Sequence, residues 1–248
     1  LIAAEYFGFS HQIEYVAGMD DSGAAARIRM EPYGWPSAFR PLAYFHSIPV
    51  RRTNHNTYDG EPIPEQELEK LKSCCIDPDI SLLIVTDMPT KRHIDELVIR
   101  SDAALFANPA FRDELGYWMG QGVYGSSWLM AKLSQISVTL VNPSGRVAQR
   151  DSDVLLSSPA FASLLSARND HATHIRVGQT FERIYLACTS LGISLQPMSQ
   201  VIQTPETKWE LARMFKLVDQ HIQQTFRLGF GQVEHNHTPR RPLTEVLA

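Results

Sequence analysis

The apolar positions of this chain recur at two spacings, and the spacing changes from segment to segment. Between 90 and 107, Ile94, Leu97, Val98 and Leu105 fall on one stripe at helical period, which predicts a helix with one buried face. Asn108 followed by Pro109 is a cap and first-turn pair, and it predicts a second helix running through Leu115 and Trp118. A long helix is expected over 172–191, with Phe181, Ile184, Tyr185 and Cys188 on one side and Gly192 where the chain leaves it. Thr204-Pro205-Glu206 opens another, carrying Leu211, Met214, Phe215 and Val218. Pro64 and the acids behind it start a shorter helix with Leu68 and Leu71. The first sixteen residues, with Ile2, Tyr6, Phe9 and Ile13 at helical spacing, read as a helix entered partway along.

Strand patterns lie between these helices. They are expected at 26–30, where Ile28 and Met30 share a face, at 81–86, at 160–166, at 193–197, and at 224–231, where Phe226, Leu228 and Phe230 alternate. Pro32, Gly34, Pro36 and Pro41 break regular structure until about Ala43. Gly120, Gly122 and Gly125 begin a stretch to Asp153 with no clear period, which reads as an irregular insertion, a lid or an arm. Strands separated by helices, without a run of equal βαβ units, predict an α+β sandwich around a mixed sheet.

Composition narrows the function. A chain of 248 residues with 44% hydrophobic content can bury one large core or two small ones. The net charge of -4 argues against a dedicated nucleic-acid binder. No apolar run approaches the roughly 20 residues that span a bilayer. Three cysteines, with Cys74 and Cys75 adjacent, make no disulfide framework, so a reducing, cytoplasmic setting without a membrane partner is expected. With neither a leading Met nor a signal pattern, the chain is expected to be a fragment or one domain of a longer protein.

Two basic clusters carry the candidate chemistry. Arg51-Arg52-Thr53-Asn54-His55 and Thr238-Pro239-Arg240-Arg241-Pro242 each combine guanidinium groups with a hydroxyl, the donor set that matches phosphate oxygens. The plainer alternative is a solvated basic turn and a frayed C-terminus. His171 and His174, three apart, lack an evident third metal ligand and read as a helix N-terminal cluster with Asp170, so no metal is expected. Cys74-Cys75 lacks the spacer of a redox motif, Cys188 reads as core, and core packing is the better reading of Tyr117 and Trp118. Gly120-Gln121-Gly122 has neither the third glycine nor the strand–turn–helix setting of a dinucleotide loop.

These residues carry a family resemblance. Arg51-Arg52-Thr53-Asn54-His55 resembles the Arg-Arg-Ser/Thr-x-Arg motif of nitroreductase-like FMN-binding domains. Arg227-Leu228-Gly229-Phe230-Gly231, followed by Thr238-Pro239-Arg240-Arg241-Pro242-Leu243, resembles their terminal strand and basic tail. Between them, Gly178-Gln179-Thr180-Phe181-Glu182-Arg183 and Leu195-Gln196-Pro197-Met198 are similar to the long helix and the loop along the flavin ring. Order and spacing resemble the branch typified by the mycobacterial Acg proteins, in which one chain carries two related halves. His55 departs from the motif, standing where a second arginine is common, so one permanent charge becomes conditional on pH. The family's upstream Ser-x-x-Asn-x-Gln-Pro-Trp-like segment has only a faint echo in Phe9-Ser10-His11-Gln12.

The resemblance implies a nitroreductase-like α/β/α sandwich around a mixed, mainly antiparallel sheet. Residues 1–48 would be the remnant of a first half and 49–248 the FMN-binding half, with a lid or arm around 120–153. Arg51, Arg52, Thr53, His55, Arg240 and Arg241 would hold the FMN phosphate, and Gln196, Pro197, Met198 and Ser199 would lie along the ring. No side chain is then a catalytic group in its own right, because the flavin carries the chemistry. The implied activity is an FMN-dependent oxidoreductase passing hydride from NAD(P)H to a small-molecule acceptor, nitroaromatic or quinone-like. The alternatives are a non-catalytic FMN storage or sensing protein and the nitroreductase-like domain of a larger fused polypeptide. A homodimer, or a segment preceding Leu1, would complete the flavin site.

Overall fold

The computed structural model describes residues 1–16, 24–32, 41–121, 137, 144–232 and 242–247. At its centre a four-stranded antiparallel sheet runs in the order β3 (Ile80–Val85), β4 (Ala160–Ser166), β6 (His221–Gly229), β5 (Ser194–Pro197). Of the two inner strands, β4 is buried along its whole length and β6 from Thr225 to Gly229, as strands covered from both sides must be. Along β4, Ala160, Ala162 and Leu164 enter one core while Phe161 and Leu165 enter the other, the period-2 alternation of a pleated strand.

Each core is closed by its own helices. α3 (Glu65–Ser73) contributes Leu68 and Leu71, and α7 (His171–Ser190) contributes Ile184 and Cys188, to the first. α4 (Met88–Ala107), α6 (Ser144–Leu156), α8 (Gln200–Gln203) and α9 (Pro205–Met214) close the second through Ile94, Leu155, Val201 and Leu211. The result is three layers, helix on sheet on helix, as the sequence pattern predicts.

Capping sets the helix starts. Asp87 accepts from the Thr90 amide at 2.9 Å to open α4, and Asn108 accepts from Ala110 at 3.0 Å to open α5 (Pro109–Gly120). Asp170 caps α7 through the Thr173 amide at 2.8 Å, and Gly192, with φ of 71°, turns the chain out of it. Thr204 precedes α9 as expected, yet its hydroxyl meets Ser101 of α4 at 2.8 Å instead of capping its own helix.

Several expectations are corrected. The opening helix is only α1 (Ile2–Tyr6); Gly8 at φ of 81° ends it, and β1 (Phe9–Tyr15) follows, paired antiparallel with β2 (Ala26–Pro32). Phe9 and Ile13 are four apart, a spacing that fits one face of a strand as well as one face of a helix. α2 (Leu42–Ser47) begins directly behind Pro41, where the run of breaking residues ends, although no helix was assigned there. The unpatterned stretch to 153 ends in regular helix, since α6 occupies 144–156; residues 122–136 and 138–143 of the expected lid lie outside the described residues. At the end of α4 it is Phe106 that is buried, with Leu105 only half-buried, and Tyr117 and Trp118 of α5 are exposed. α9 stops at Met214, which leaves Val218 in solvent.

Candidate functional site

The first basic cluster lies on an extended segment that crosses the end of β5. Asn54 points inward and anchors it. Its Nδ2 donates to Ser194 Oγ at 3.0 Å and to the Gln232 carbonyl at 2.8 Å, and its Oδ1 accepts from the Asn56 amide at 3.0 Å. Because Asn54 is buried, its neighbours Thr53 and His55 are set to either side of the anchor on a backbone held to the sheet.

Beneath this segment lies Arg227 of β6, with no exposed surface. Its Nε donates to Gln196 Oε1 at 2.7 Å. Nη1 donates to the Val154 carbonyl at 3.0 Å and to Ser158 Oγ at 3.2 Å, and Nη2 to the carbonyls of Asn54 at 3.0 Å and Asn56 at 2.6 Å. These bonds use every N–H donor a guanidinium has. Its face rests on the Tyr58 ring, 3.8 Å from the centroid. Burial pushes the guanidinium below its ordinary value, and complete hydrogen bonding is what makes a charge tolerable at such depth.

Around this anchor the structure brings together Arg51, Thr53, His55 and Gln196. Gln196 Nε2 lies 3.1 Å from His55 Nδ1. Tyr185 of α7 points its hydroxyl at Thr53 Oγ1, 2.8 Å away, and at the Leu195 carbonyl, 3.1 Å away. Burial raises the Tyr185 phenol, with the Thr53 bond and the Arg51 charge opposing, so it stays a donor at neutral pH. Arg51 stacks over the same ring at 4.5 Å and pairs through Nε with Glu182 Oε1 at 3.2 Å. Arg52 is exposed.

The remaining candidates are placed as follows. Pro197 pairs with Phe226 across the β5–β6 ladder. Met198 is wholly buried in the second core; its amide donates to the Thr225 carbonyl at 2.9 Å and its carbonyl accepts from Thr225 Oγ1 at 2.6 Å. Ser199 donates to Gln224 Oε1 at 2.7 Å. Arg240 and Arg241 lie outside the described residues. His174 Nε2 meets Asn169 Oδ1 at 2.8 Å, Cys188 is buried, and no group of three or more His, Cys, Asp and Glu able to hold a metal ion occurs among the described residues. No helix among them is long and apolar enough to cross a membrane.

In the sequence Arg227 is legible only as part of a terminal strand, Asn54 only as a member of the basic cluster and Tyr185 only as part of a helix face. The available signal was an arginine set between Phe226 and Leu228 in an otherwise buried strand. An unpaired charge does not belong there unless something holds it.

The three-layer α/β/α fold is shared with solved nitroreductase structures, at low sequence identity. The FMN-dependent nitroreductase NfnB from Mycobacterium smegmatis, in complex with NADPH, matches with a TM-score of 0.58 at 14% identity, over 83% of this chain and 97% of that one. A nitroreductase with bound FMN from Desulfitobacterium hafniense matches with a TM-score of 0.55 at 11% identity, over 84% and 98%. Iodotyrosine deiodinase bound to FMN and 3-iodo-L-tyrosine matches with a TM-score of 0.55 at 17% identity, over 81% and 96%. No family model matches the sequence, and no curated protein matches it either.

Proposed function

We propose that this protein is an FMN-binding oxidoreductase that passes hydride from NAD(P)H to nitroaromatic or quinone-like acceptors, with 49–248 as its flavin-binding unit. The observation that carries this reading is the convergence of Arg51, Thr53 and His55 on one short segment that Asn54 and Arg227 hold rigid. The donor set fits a phosphate dianion. Guanidinium groups supply charge and paired N–H donors, Thr53 supplies a hydroxyl, and the fixed backbone lowers the ordering cost of binding. Arg52, Arg240 and Arg241 complete the phosphate side in this reading, and Gln196, Pro197, Met198 and Ser199 lie along the ring. The bound flavin would supply the electron-carrying chemistry, and the chain supplies binding, orientation and local charge.

The side chains of Gln196, Met198 and Ser199 are committed to protein partners, so their part is to hold the end of the sheet that faces the ring. A second copy covering the exposed Tyr6, Phe7, Leu42 and Val50, on α1 and the turn behind it, on α2 and on the turn into Arg51, is the assembly we propose.

An absorption spectrum of the purified protein with added FMN, then with NADPH under argon, tests the reading. Bound-flavin bands that bleach with NADPH are the expected result. Bands that persist would make the protein a flavin store or sensor, and failure to bind FMN would overturn the reading.

A further inference from the structure

A guanidinium only donates, so the Gln196 atom that faces Arg227 Nε at 2.7 Å is the amide oxygen. The amide nitrogen is thereby turned the other way, to within 3.1 Å of His55 Nδ1. An amide NH2 also only donates, so Nδ1 accepts. A neutral imidazole whose Nδ1 accepts carries its proton on Nε2. Flipping the amide would set its NH2 against the guanidinium N–H, two donors face to face at a fully buried group. Arg227 has no slack to follow such a flip, because its other donors are engaged by Val154, Ser158, Asn54 and Asn56.

We propose that Arg227 is the positioning residue of the 51–55 segment: through Gln196 it fixes His55 as the tautomer protonated on Nε2, and through the Asn54 and Asn56 carbonyls it holds the backbone that carries Thr53 and His55. The imidazole then acts from Nε2 as a donor of fixed direction, at the position where the related motif has an arginine. A role for that donor toward phosphate rests on the functional reading above; the tautomer does not.

Long-range proton–nitrogen spectra of imidazole-labelled protein at neutral pH read the tautomer directly. In the wild type, His55 is expected to show Nδ1 unprotonated and Nε2 protonated. Gln196→Glu replaces the donating nitrogen with a carboxylate oxygen and is expected to place a proton on Nδ1. Gln196 is only half-buried, so this arm does not depend on whether the core tolerates a change at Arg227. Arg227→Lys removes the fork that orients the amide. It is expected to lose the single tautomer and to weaken FMN binding about tenfold or more beyond any change in the binding of riboflavin, which lacks the phosphate. Protonation of wild-type His55 on Nδ1, an unprotonated Nδ1 in Gln196→Glu, or an FMN preference unchanged in a folded Arg227→Lys would each overturn the proposal. A wild type that shows the expected tautomer but binds FMN no better than riboflavin would support the relay and overturn the phosphate reading instead.

Discussion

Single residues here act through what crosses them from elsewhere in the chain. Gly229 of β6 is the clearest case. A Cβ at this position would come 2.5 Å from Tyr58 Cδ2 and 2.6 Å from Pro159 Cδ. Tyr58 is also held by the Arg227 guanidinium, which stacks 3.8 Å from its ring centroid, so its freedom to retreat is limited. Gly229→Ala is therefore expected to cost about 1–3 kcal/mol by overpacking, read as a lower urea midpoint with unchanged slope. An unchanged midpoint would mean that the Tyr58–Arg227 stack has room to shift. Neither residue's task was legible in the sequence, although both stand in a quoted motif. Arg227 draws its acceptors from 54, 56, 154, 158 and 196, and Gly229 is required by side chains from 58 and 159. Arg51, Thr53 and His55 could be singled out because they sit within five consecutive positions.

At the scale of elements, the packing of α4 against α6 contains a titrating pair. Asp102 of α4 is almost completely buried, and its Oδ2 has no hydrogen-bond partner. Burial, and then the charge of Asp151 on α6, push its carboxyl up to about 7. Asp151 is raised too, by burial, against the bond it accepts from Gln200 Nε2 at 2.7 Å and the charges of Arg150 and Arg227. Between the ordinary carboxyl value of about 4 and about 7, the folded chain keeps a proton at Asp102 that the unfolded chain has released. Stability from this group therefore falls as pH rises through that window, the reverse of a salt-bridged carboxylate. Asp102→Asn removes the ionisation, so its stability relative to wild type should rise from pH 4 to pH 8, by on the order of 1 kcal/mol or more. Parallel unfolding curves at the two pH values check this, and a constant difference would show that Asp102 is not the titrating group. Helices with their own caps and stripes, α4, α5 and α7, were legible in advance. α6 was not, because its buried Val154 and Leu155 sit at its last turn behind the polar run from Gln149 to Asp153, and its partners lie on α4.

For the whole molecule, the layering followed from alternation between strand and helix patterns, since a sheet apolar on both faces has to be covered twice. What alternation cannot reveal is which loop is pressed onto which strand end. That choice is made by Asn54 and Arg227, and it is what turns a basic segment into a rigid one. Rigidity makes a thermal prediction that needs no turnover. A ligand that binds only the folded chain, at a hundredfold over its dissociation constant, stabilises it by about 2.7 kcal/mol. For a chain of this length each kcal/mol raises Tm by about 2–4 °C, so saturating FMN is expected to raise Tm by about 5–10 °C. On the proposed flavin reading, riboflavin at the same concentration would keep the ring contacts and lose those to the phosphate, so its shift should be smaller. Arg240→Ala with Arg241→Ala should bring the FMN shift down toward the riboflavin value while the ligand-free Tm stays in place. Equal shifts for the two flavins in the wild type would mean that the basic segment does not read phosphate. A double variant with the full FMN shift would confine recognition to the segment around Thr53, where the buried guanidinium holds the backbone.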